Sequence, residues 1–145
     1  MEYKRILVPV NGDETDEEAI KLACQLSERG KGEILAVYVI QVKRSLPLDI
    51  KIESETEQGE RVLQRAEKVA KKQNREIETE ILQARDVGAA VVEEAIDRNI
   101  DLIILGVEYK RKFGEYSLGE VIPYVLKHAP CAVVVLRTPM RSGEH

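Results

Sequence analysis

Two glycines frame the segment of this sequence that is best suited to bind a phosphate. Gly106 follows a short apolar run, Gly119 precedes a predicted helix, and the polar stretch between them carries Lys110, Arg111 and Lys112. Glycines let a backbone approach a phosphate closely, a helix start offers free N–H groups, and basic side chains pair with phosphate oxygens. The segment is therefore a candidate phosphate site. The alternative, which we favour, is that three exposed basic residues solvate a long loop.

Acidic residues beside this segment argue against a phosphate. Glu120 directly follows Gly119 and would set a negative charge against a triphosphate, at a cost that grows with desolvation. In the first turn of a helix the same acid interacts favourably with the helix dipole without any ligand, and we prefer that interpretation. The acid-rich segment 12–18 lacks the spacing of a calcium-binding loop, so we predict no metal site.

No arrangement of residues in the sequence predicts catalysis. His128 is expected at a helix end, His145 is the last residue, and neither is spaced for a Ser/His/Asp or Cys/His pairing. A phospho-receiver domain would need paired acids after the first strand, where this chain has Asn11, and a lysine after the last strand. We therefore predict a protein that is not an enzyme and has no catalytic residues.

Composition limits the class of protein further. The chain has 145 residues, of which 43% are hydrophobic and 33% charged, and a net charge of -4. These values predict one globular domain over 1–145 and argue against a general nucleic-acid or membrane binder. No apolar stretch approaches the roughly 20 residues that span a bilayer, and the N-terminus lacks a signal-peptide layout. The distant pair Cys24 and Cys131 predicts two buried, reduced thiols in a cytoplasmic protein.

Strands and helices alternate along the chain in the order βαβαβαβαβ. Continuous apolar runs, typical of strands buried on both faces, occupy 6–10, 34–40, 102–105 and 132–136. The run 77–82 alternates instead, which predicts a half-exposed strand at an edge of the sheet. Helical spacing predicts four helices between the strands. We expect Thr15 and Glu18 to form a capping box at the start of the first helix, and Asp86 to cap the third.

This alternation predicts an α/β fold, a single open five-stranded parallel sheet with helices on both faces. Ligands of such sheets bind beyond the carboxyl ends of the strands, at the point where the strand order reverses. The segments expected at that point are 11–14, after the first strand, and 106–120, after the fourth. The candidate phosphate site lies in the second of them.

Three stretches of the sequence resemble the universal stress protein family. They are the strand and turn ILVPVNG at 6–12, the glycines at 106 and 119, and the string HAPCAVVV at 128–135. The resemblance covers about residues 4–137 and implies the strand order 3-2-1-4-5, in the fold shared with adenine nucleotide alpha hydrolases. This order puts the third strand at an edge, where its alternation already placed it.

Nucleotide-binding members of that family carry a loop of the form G-x2-G-x9-G-[ST], which this chain matches only in part. Gly106 and Gly119 correspond to its first and last glycines, whereas Tyr109 stands at the middle glycine and Glu120 at the hydroxyl position. Asn11 stands where those members have an acid near the ribose. The resemblance implies a pocket lined by Pro9, Asn11, Val39, Gly106, Gly119, Glu120 and Val121. We predict that this nucleotide site is degenerate, that ATP is disfavoured and that no other cofactor is bound.

Two functions fit these features. The first is a non-catalytic regulatory or stress-response module that acts as a dimer on an unknown protein partner. The last strand would otherwise leave an apolar edge bare, and the resemblance implies dimerisation through its residues Ala132, Val133, Val134, Val135 and Leu136. The second is a nucleotide-binding switch or slow ATPase that uses the basic residues between the two glycines in place of the missing motif. A third possibility, regulation of a membrane transporter, rests only on family members that are fused to such proteins.

Overall fold

The computed structural model describes residues 2–108, 111–112, 115–116 and 119–139. Seven strands and four helices follow one another along these residues. In chain order they are β1 (Arg5–Pro9), α1 (Thr15–Leu26), β2 (Glu33–Gln41), α2 (Glu53–Lys72), β3 (Glu78–Ala84), α3 (Val87–Asp97), β4 (Leu102–Val107), β5 (Arg111–Lys112), β6 (Glu115–Tyr116), α4 (Val121–His128) and β7 (Ala132–Arg137).

Five of the strands form one parallel sheet in the order β3-β2-β1-β4-β7. Counted by sheet strands alone this is the order 3-2-1-4-5, so the predicted fold class is confirmed. The other two strands, β5 and β6, pair antiparallel as a short hairpin between β4 and α4, in a segment for which the sequence predicted only a loop.

The central strand β1 is buried on both faces, as its unbroken apolar run predicts. Ile6 and Val8 pack into a core cluster with α1 and α2, while Leu7 faces the opposite cluster formed with α3 and α4. Successive side chains of a strand point to opposite faces, so one short run anchors both layers of helices. The helices therefore cover both faces of the sheet, two on each.

The two outer strands are the least buried of the sheet. No residue of β3 is fully buried, which agrees with the edge position predicted from its alternation. At the other edge, β7 has exposed and half-buried residues only, and Val135 is 37% exposed. Both edge strands are therefore partly solvated in the single chain.

Several local predictions were wrong. Thr15 is the first residue of α1, not the residue that caps it, and its hydroxyl donates to Asp13 Oδ1, so no capping box forms with Glu18. Asp86 does precede α3, but its side chain makes no capping hydrogen bond and lies 4.0 Å from Arg44 instead. In both cases the side chain that was predicted to cap a helix interacts with another side chain instead of with a backbone N–H group. The two cysteines are free, but they are half-buried instead of buried.

Candidate ligand-binding cavity

A cavity of about 460 Å³ opens at the carboxyl ends of β1 and β4, where the strand order reverses. The ends of β1, β2 and β4 form its floor, and the first residues of α3 and α4 form its sides. Its volume lies within the range of small-molecule sites. The position is the one that the topology rule predicts for a ligand.

The structure brings most of the predicted pocket residues together around this cavity. Those that line it are Pro9, Asn11, Val39, Gly106, Gly119, Glu120 and Val121. Tyr109 and Lys110 lie outside the described residues. Arg111 and Lys112 form β5, whose backbone pairs with β6. That any of these residues binds a nucleotide stays a prediction.

Gly106 is explained by packing. A Cβ atom at this position would lie 2.7 Å from Thr15 Oγ1 and 2.9 Å from Thr15 Cβ, closer than real contacts allow. The start of α1 therefore rests directly on β4 because residue 106 has no side chain. Gly119 differs, since space is open around it and its φ of 71° is what favours glycine there. Neither glycine by itself indicates a phosphate.

The turn between β1 and α1 uses its own backbone donors. Asp16 is buried, and its two carboxylate oxygens accept the N–H groups of Asn11, at 3.1 Å, and Gly12, at 2.7 Å. The N–H of Asp13 donates to Asn11 Oδ1 at 3.1 Å, and that of Thr15 donates to Asp13 Oδ1 at 2.9 Å. Side chains of the turn thus occupy donors that a phosphate would otherwise bind.

The fifth backbone N–H group of this turn donates to a side chain of the segment that follows β4. The N–H of Glu14, just before α1, donates to Glu108 Oε1 at 3.4 Å, which joins the turn after β1 to the segment after β4. Glu14 and Glu108 are 94 residues apart, so no local pattern in the sequence announces this contact. A carboxylate of the protein therefore lies at the positive end of the α1 dipole, where bound anions are stabilised.

Burial raises the pKa of Asp16 from 3.8 to about 6, with a smaller contribution from the neighbouring charge of Asp13. The N–H groups of Gly12 and Asn11 oppose this shift, since they stabilise the charged form. The Asp16 carboxyl group is therefore held partly out of water, in the turn whose residues Asn11 and Asp13 line the cavity.

The cavity has an apolar interior and an acidic rim. Its apolar lining comes from all the elements that surround it and includes Pro9, Val37, Val39, Val87, Leu105 and Ile122. Asp13, Glu108 and Glu120 add three carboxyl groups, whereas no Lys, Arg or His is found among the described lining residues. Such a site favours an apolar body and disfavours a strongly negative group beside it.

Asp13 and Glu108 lie within the segments 11–14 and 106–120 that the sequence placed here, although they were not singled out, and Val87 was missed. Val87 lies near the carboxyl end of β3, so the topology rule applied to that strand as well would have included it. The segment 41–52 does not line the cavity. Gln83 holds it against β3 by donating to the carbonyl oxygens of Leu48 and Ile50, both at 2.8 Å.

The part of the chain that the structure describes contains no group of three or more His, Cys, Asp or Glu side chains placed to hold a metal ion. None of its helices combines the length and the apolar character that crossing a membrane requires.

The strand order, with a cavity at its reversal, defines a domain of the doubly wound α/β class. Residues 2–137 match the model of the universal stress protein family, and the chain belongs to that family. It is similar to a universal stress protein of Methanocaldococcus jannaschii, with 30% identity over 97% of this chain and 85% of that protein.

Solved structures of the family share the fold. A universal stress protein of Archaeoglobus fulgidus superimposes with a TM-score of 0.77 at 17% identity, over 92% of this chain and 98% of that one. The structure of the Archaeoglobus fulgidus universal stress protein in complex with dAMP gives a TM-score of 0.74, also at 17% identity, over 93% and 98% of the two chains. At this level of identity the likeness establishes the fold alone.

Proposed function

We propose that this universal stress protein domain is a non-catalytic regulatory module that acts as a homodimer in the cytoplasm, with a nucleotide site that is degenerate for ATP. The observation that carries the proposal is the polar side of the cavity, which is acidic and whose backbone N–H donors are already hydrogen-bonded to acceptors within the protein. Asp13, Glu108 and Glu120 lie where phosphates need donors, and the N–H groups of the β1–α1 turn already have acceptors within the protein.

Charge makes ATP a poor ligand for this site. Two like charges about 4 Å apart repel by about 1 kcal/mol in water and by about 4 kcal/mol at the lower dielectric of a protein surface. A triphosphate at the rim would meet several carboxylates, and no basic side chain among the described lining residues offsets them. Each such contact would therefore weaken ATP binding by between about fivefold and several hundredfold.

The outer strand β7 supports the dimer. One of its edges pairs with β4, and no strand that the structure describes pairs with the other, where a second chain would extend the sheet. Two of its apolar residues, Ala132 and Val135, are exposed in the single chain. A two-fold axis beside β7 would cover this edge with an identical one.

A second candidate function is a nucleotide-binding switch. It is favoured by the related structure that holds dAMP and shares this fold over nearly the whole chain. In this alternative the basic residues Lys110, Arg111 and Lys112 would supply the charge that the described rim lacks.

Thermal unfolding tests both parts of the proposal. We expect millimolar Mg-ATP to leave the melting temperature unchanged, and the melting temperature to rise with protein concentration, as it does for a dimer. A ligand at about 100 times its Kd would add about 2.7 kcal/mol of stability, a shift of a few degrees for a domain of this size. Such a shift with Mg-ATP would overturn the degenerate site and favour the switch. A melting temperature independent of protein concentration would contradict the dimer.

A further inference from the structure

The solvent-facing side of α2 separates its charges into two blocks. Residues 53–60 include four acids and no basic residue, whereas residues 61–72 include five basic residues and one acid. All ten of these residues are exposed, and the opposite side of the helix, with Val62 and Ala66, is buried in the core. α2 therefore presents a face that is negative over its first half and positive over its second.

The helix dipole and ion pairs within the chain do not account for this separation. The dipole favours acids in the first turn and basic residues in the last, where Glu53, Lys71 and Lys72 lie. It acts only within those turns and does not extend to Glu57 or Lys68. Among the residues that the structure describes, no ion pair involves a side chain of α2. The two blocks are therefore open to a partner outside the chain.

A second copy of α2 in antiparallel orientation complements this face. A two-fold axis at the midpoint of 53–72 places each residue opposite the one that lies equally far from the other end of the helix. Glu57 then faces the partner's Lys68, Glu53 faces the partner's Lys72, and the symmetry repeats both pairs. These four residues all lie on the exposed side of the helix, within a stripe about 100° wide.

A groove beside the second half of α2 gives this contact a concave surface. The groove has a volume of about 570 Å³. Lys68 and Lys71 line it from α2, and Ile77 lines it from the segment that leads into β3. The antiparallel register places the partner's Ser54 and the partner's Glu57 over the groove. The acidic half of the second copy would therefore pack where the surface is concave.

We propose that α2 is a self-complementary interface, through which a second copy of this chain binds in antiparallel orientation and pairs its acidic half with the basic half of α2. α2 packs against β2 and β3, whereas β7 lies at the other edge of the sheet, so this contact is separate from the proposed β7 dimer. The two contacts would alternate and link dimers into larger assemblies. Because exposed ion pairs are individually weak and are screened by salt, these assemblies form at low ionic strength and high protein concentration.

Sedimentation velocity at two ionic strengths tests the interface. Between about 10 mM and about 1 M NaCl the screening length falls from about 30 Å to about 3 Å, so the association constant of the α2 contact should fall at least about tenfold. The net charge of -4 predicts the opposite trend, because salt relieves the general repulsion between copies. The β7 contact would depend on backbone pairing and apolar side chains, so it should persist in high salt.

Charge reversal at one pair assigns the association to α2. Glu57→Lys sets two basic side chains against each other across the interface, Lys68→Glu sets two acids against each other, and the two-fold axis makes each conflict occur twice. Each variant alone should lose at least about tenfold in the low-salt association constant. An equimolar mixture of the two should recover it, because opposite charges then meet at both places. Both positions are exposed and both residue types are good helix formers, so the variants keep the fold.

Glu93→Lys and Lys31→Glu are the matched controls. Both residues are exposed and lie outside α2, and the two substitutions change the net charge by the same amounts as the α2 variants do. The controls should therefore change the association constant far less, and mixing them should recover nothing.

The outcomes also separate this interface from the proposed dimer. Assemblies larger than a dimer in low salt that return to a dimer in high salt support both contacts. Association in low salt and a monomer in high salt support the α2 contact and contradict the β7 dimer. A dimer of the same size at both ionic strengths contradicts the α2 contact, and a monomer under both conditions contradicts both. Salt-sensitive association that survives Glu57→Lys, or that the mixture does not restore, would overturn the α2 interface.

Discussion

The two ends of the parallel sheet are built in different ways. At the amino end, polar groups tie elements together across long sequence distances. Asp101 Oδ2 accepts the N–H groups of Lys4 and Arg5 at 3.0 Å each, and the Arg75 guanidinium donates to Ser27 Oγ at 2.7 Å and to the carbonyl of Gly32 at 3.2 Å. At the carboxyl end, Gln83 and Arg85 likewise bond the segment 41–52 across long sequence distances, but a cavity remains open between the ends of β1 and β4 and the starts of α3 and α4. The two ends therefore differ in open space and not in the range of their polar bonds.

An acid whose pKa is raised by burial occurs at both ends, so that property alone does not locate the site. Asp16 lies in the turn after β1, beside the lining residues Asn11 and Asp13. Glu94, on α3 at the amino end, has its pKa raised to about 7 by burial and by a hydrogen bond with Glu80. Arg98 lies 3.5 Å from Glu94 Oε2 and 3.0 Å from Glu80 Oε2, an ordinary structural ion pair network. Perturbed pKa values mark function only where they coincide with space for a ligand.

The largest expected effect tests whether the amino end is as tightly packed as it looks. A Cβ atom at Gly32 would overlap Ser27 Oγ and lie 2.6 Å from the carbonyl oxygen of Glu28. Backbone cannot move aside cheaply, so Gly32→Ala should lower the free energy of unfolding by about 3 kcal/mol or more, as measured by urea unfolding. Gly30→Ala is the matched control, because only its φ of 78° is unfavourable and the space around it is open, which predicts a loss of about 1 kcal/mol. Equal losses would contradict the tight packing of the amino end.

A glycine-to-alanine substitution at the cavity end should lower the free energy of unfolding by less. Gly106→Ala would place a Cβ atom 2.7 Å from Thr15 Oγ1 and 2.9 Å from Thr15 Cβ, and because these atoms belong to a side chain, less backbone must move than at Gly32. We expect a loss of about 2–3 kcal/mol in urea unfolding. Thr15→Gly in the same chain removes the atoms in conflict, so the second substitution should cost less in the Gly106→Ala background than in the wild type. Additive losses would mean that Gly106 is needed for another reason.

The sequence predicted the features of the fold that follow from the spacing of apolar residues and turn signals. Apolar runs and turn signals predicted the order of elements, and alternation placed β3 at the edge, as the structure confirms. Once the strand order is known, the carboxyl-end rule brings Pro9, Asn11 and Gly106 to one point, because parallel strands end on the same side. The sequence therefore predicts which distant residues lie together wherever the strand order alone determines it.

The sequence could not predict which of several similar side chains accepts the hydrogen bond of a given donor. The segment 12–18 contains five acids, and only the structure shows that Asp16 is the buried one. It also shows that Asp13 accepts the hydrogen bond of the Thr15 hydroxyl. The contact between Glu108 and the N–H of Glu14 joins residues that are distant in the chain. Such choices are decided by packing differences of a few ångströms, which residue types and spacing do not encode.

The pH dependence of stability gives the smallest effects and compares the two buried acids directly. The pKa of Asp16 is raised from 3.8 to about 6 and that of Glu94 from 4.5 to about 7. A folded-state pKa above the unfolded value means that the folded protein binds the proton more tightly. Each group's contribution to stability is therefore fully present below its unfolded pKa and is lost as the pH rises through its folded pKa.

Amide variants remove each contribution separately. Measured by urea unfolding, the stability of Asp16→Asn relative to the wild type should rise by about 2 kcal/mol between about pH 4 and pH 6 and then stay level. That of Glu94→Gln should rise by about 1 kcal/mol and should level off about one pH unit higher, since solvent and Arg98 screen this acid more. Only relative changes with pH matter here, so any constant cost of an altered hydrogen bond cancels. If the two curves rose over the same pH range, or if neither rose, the acids at the two ends would not be held out of water in the way the structure shows.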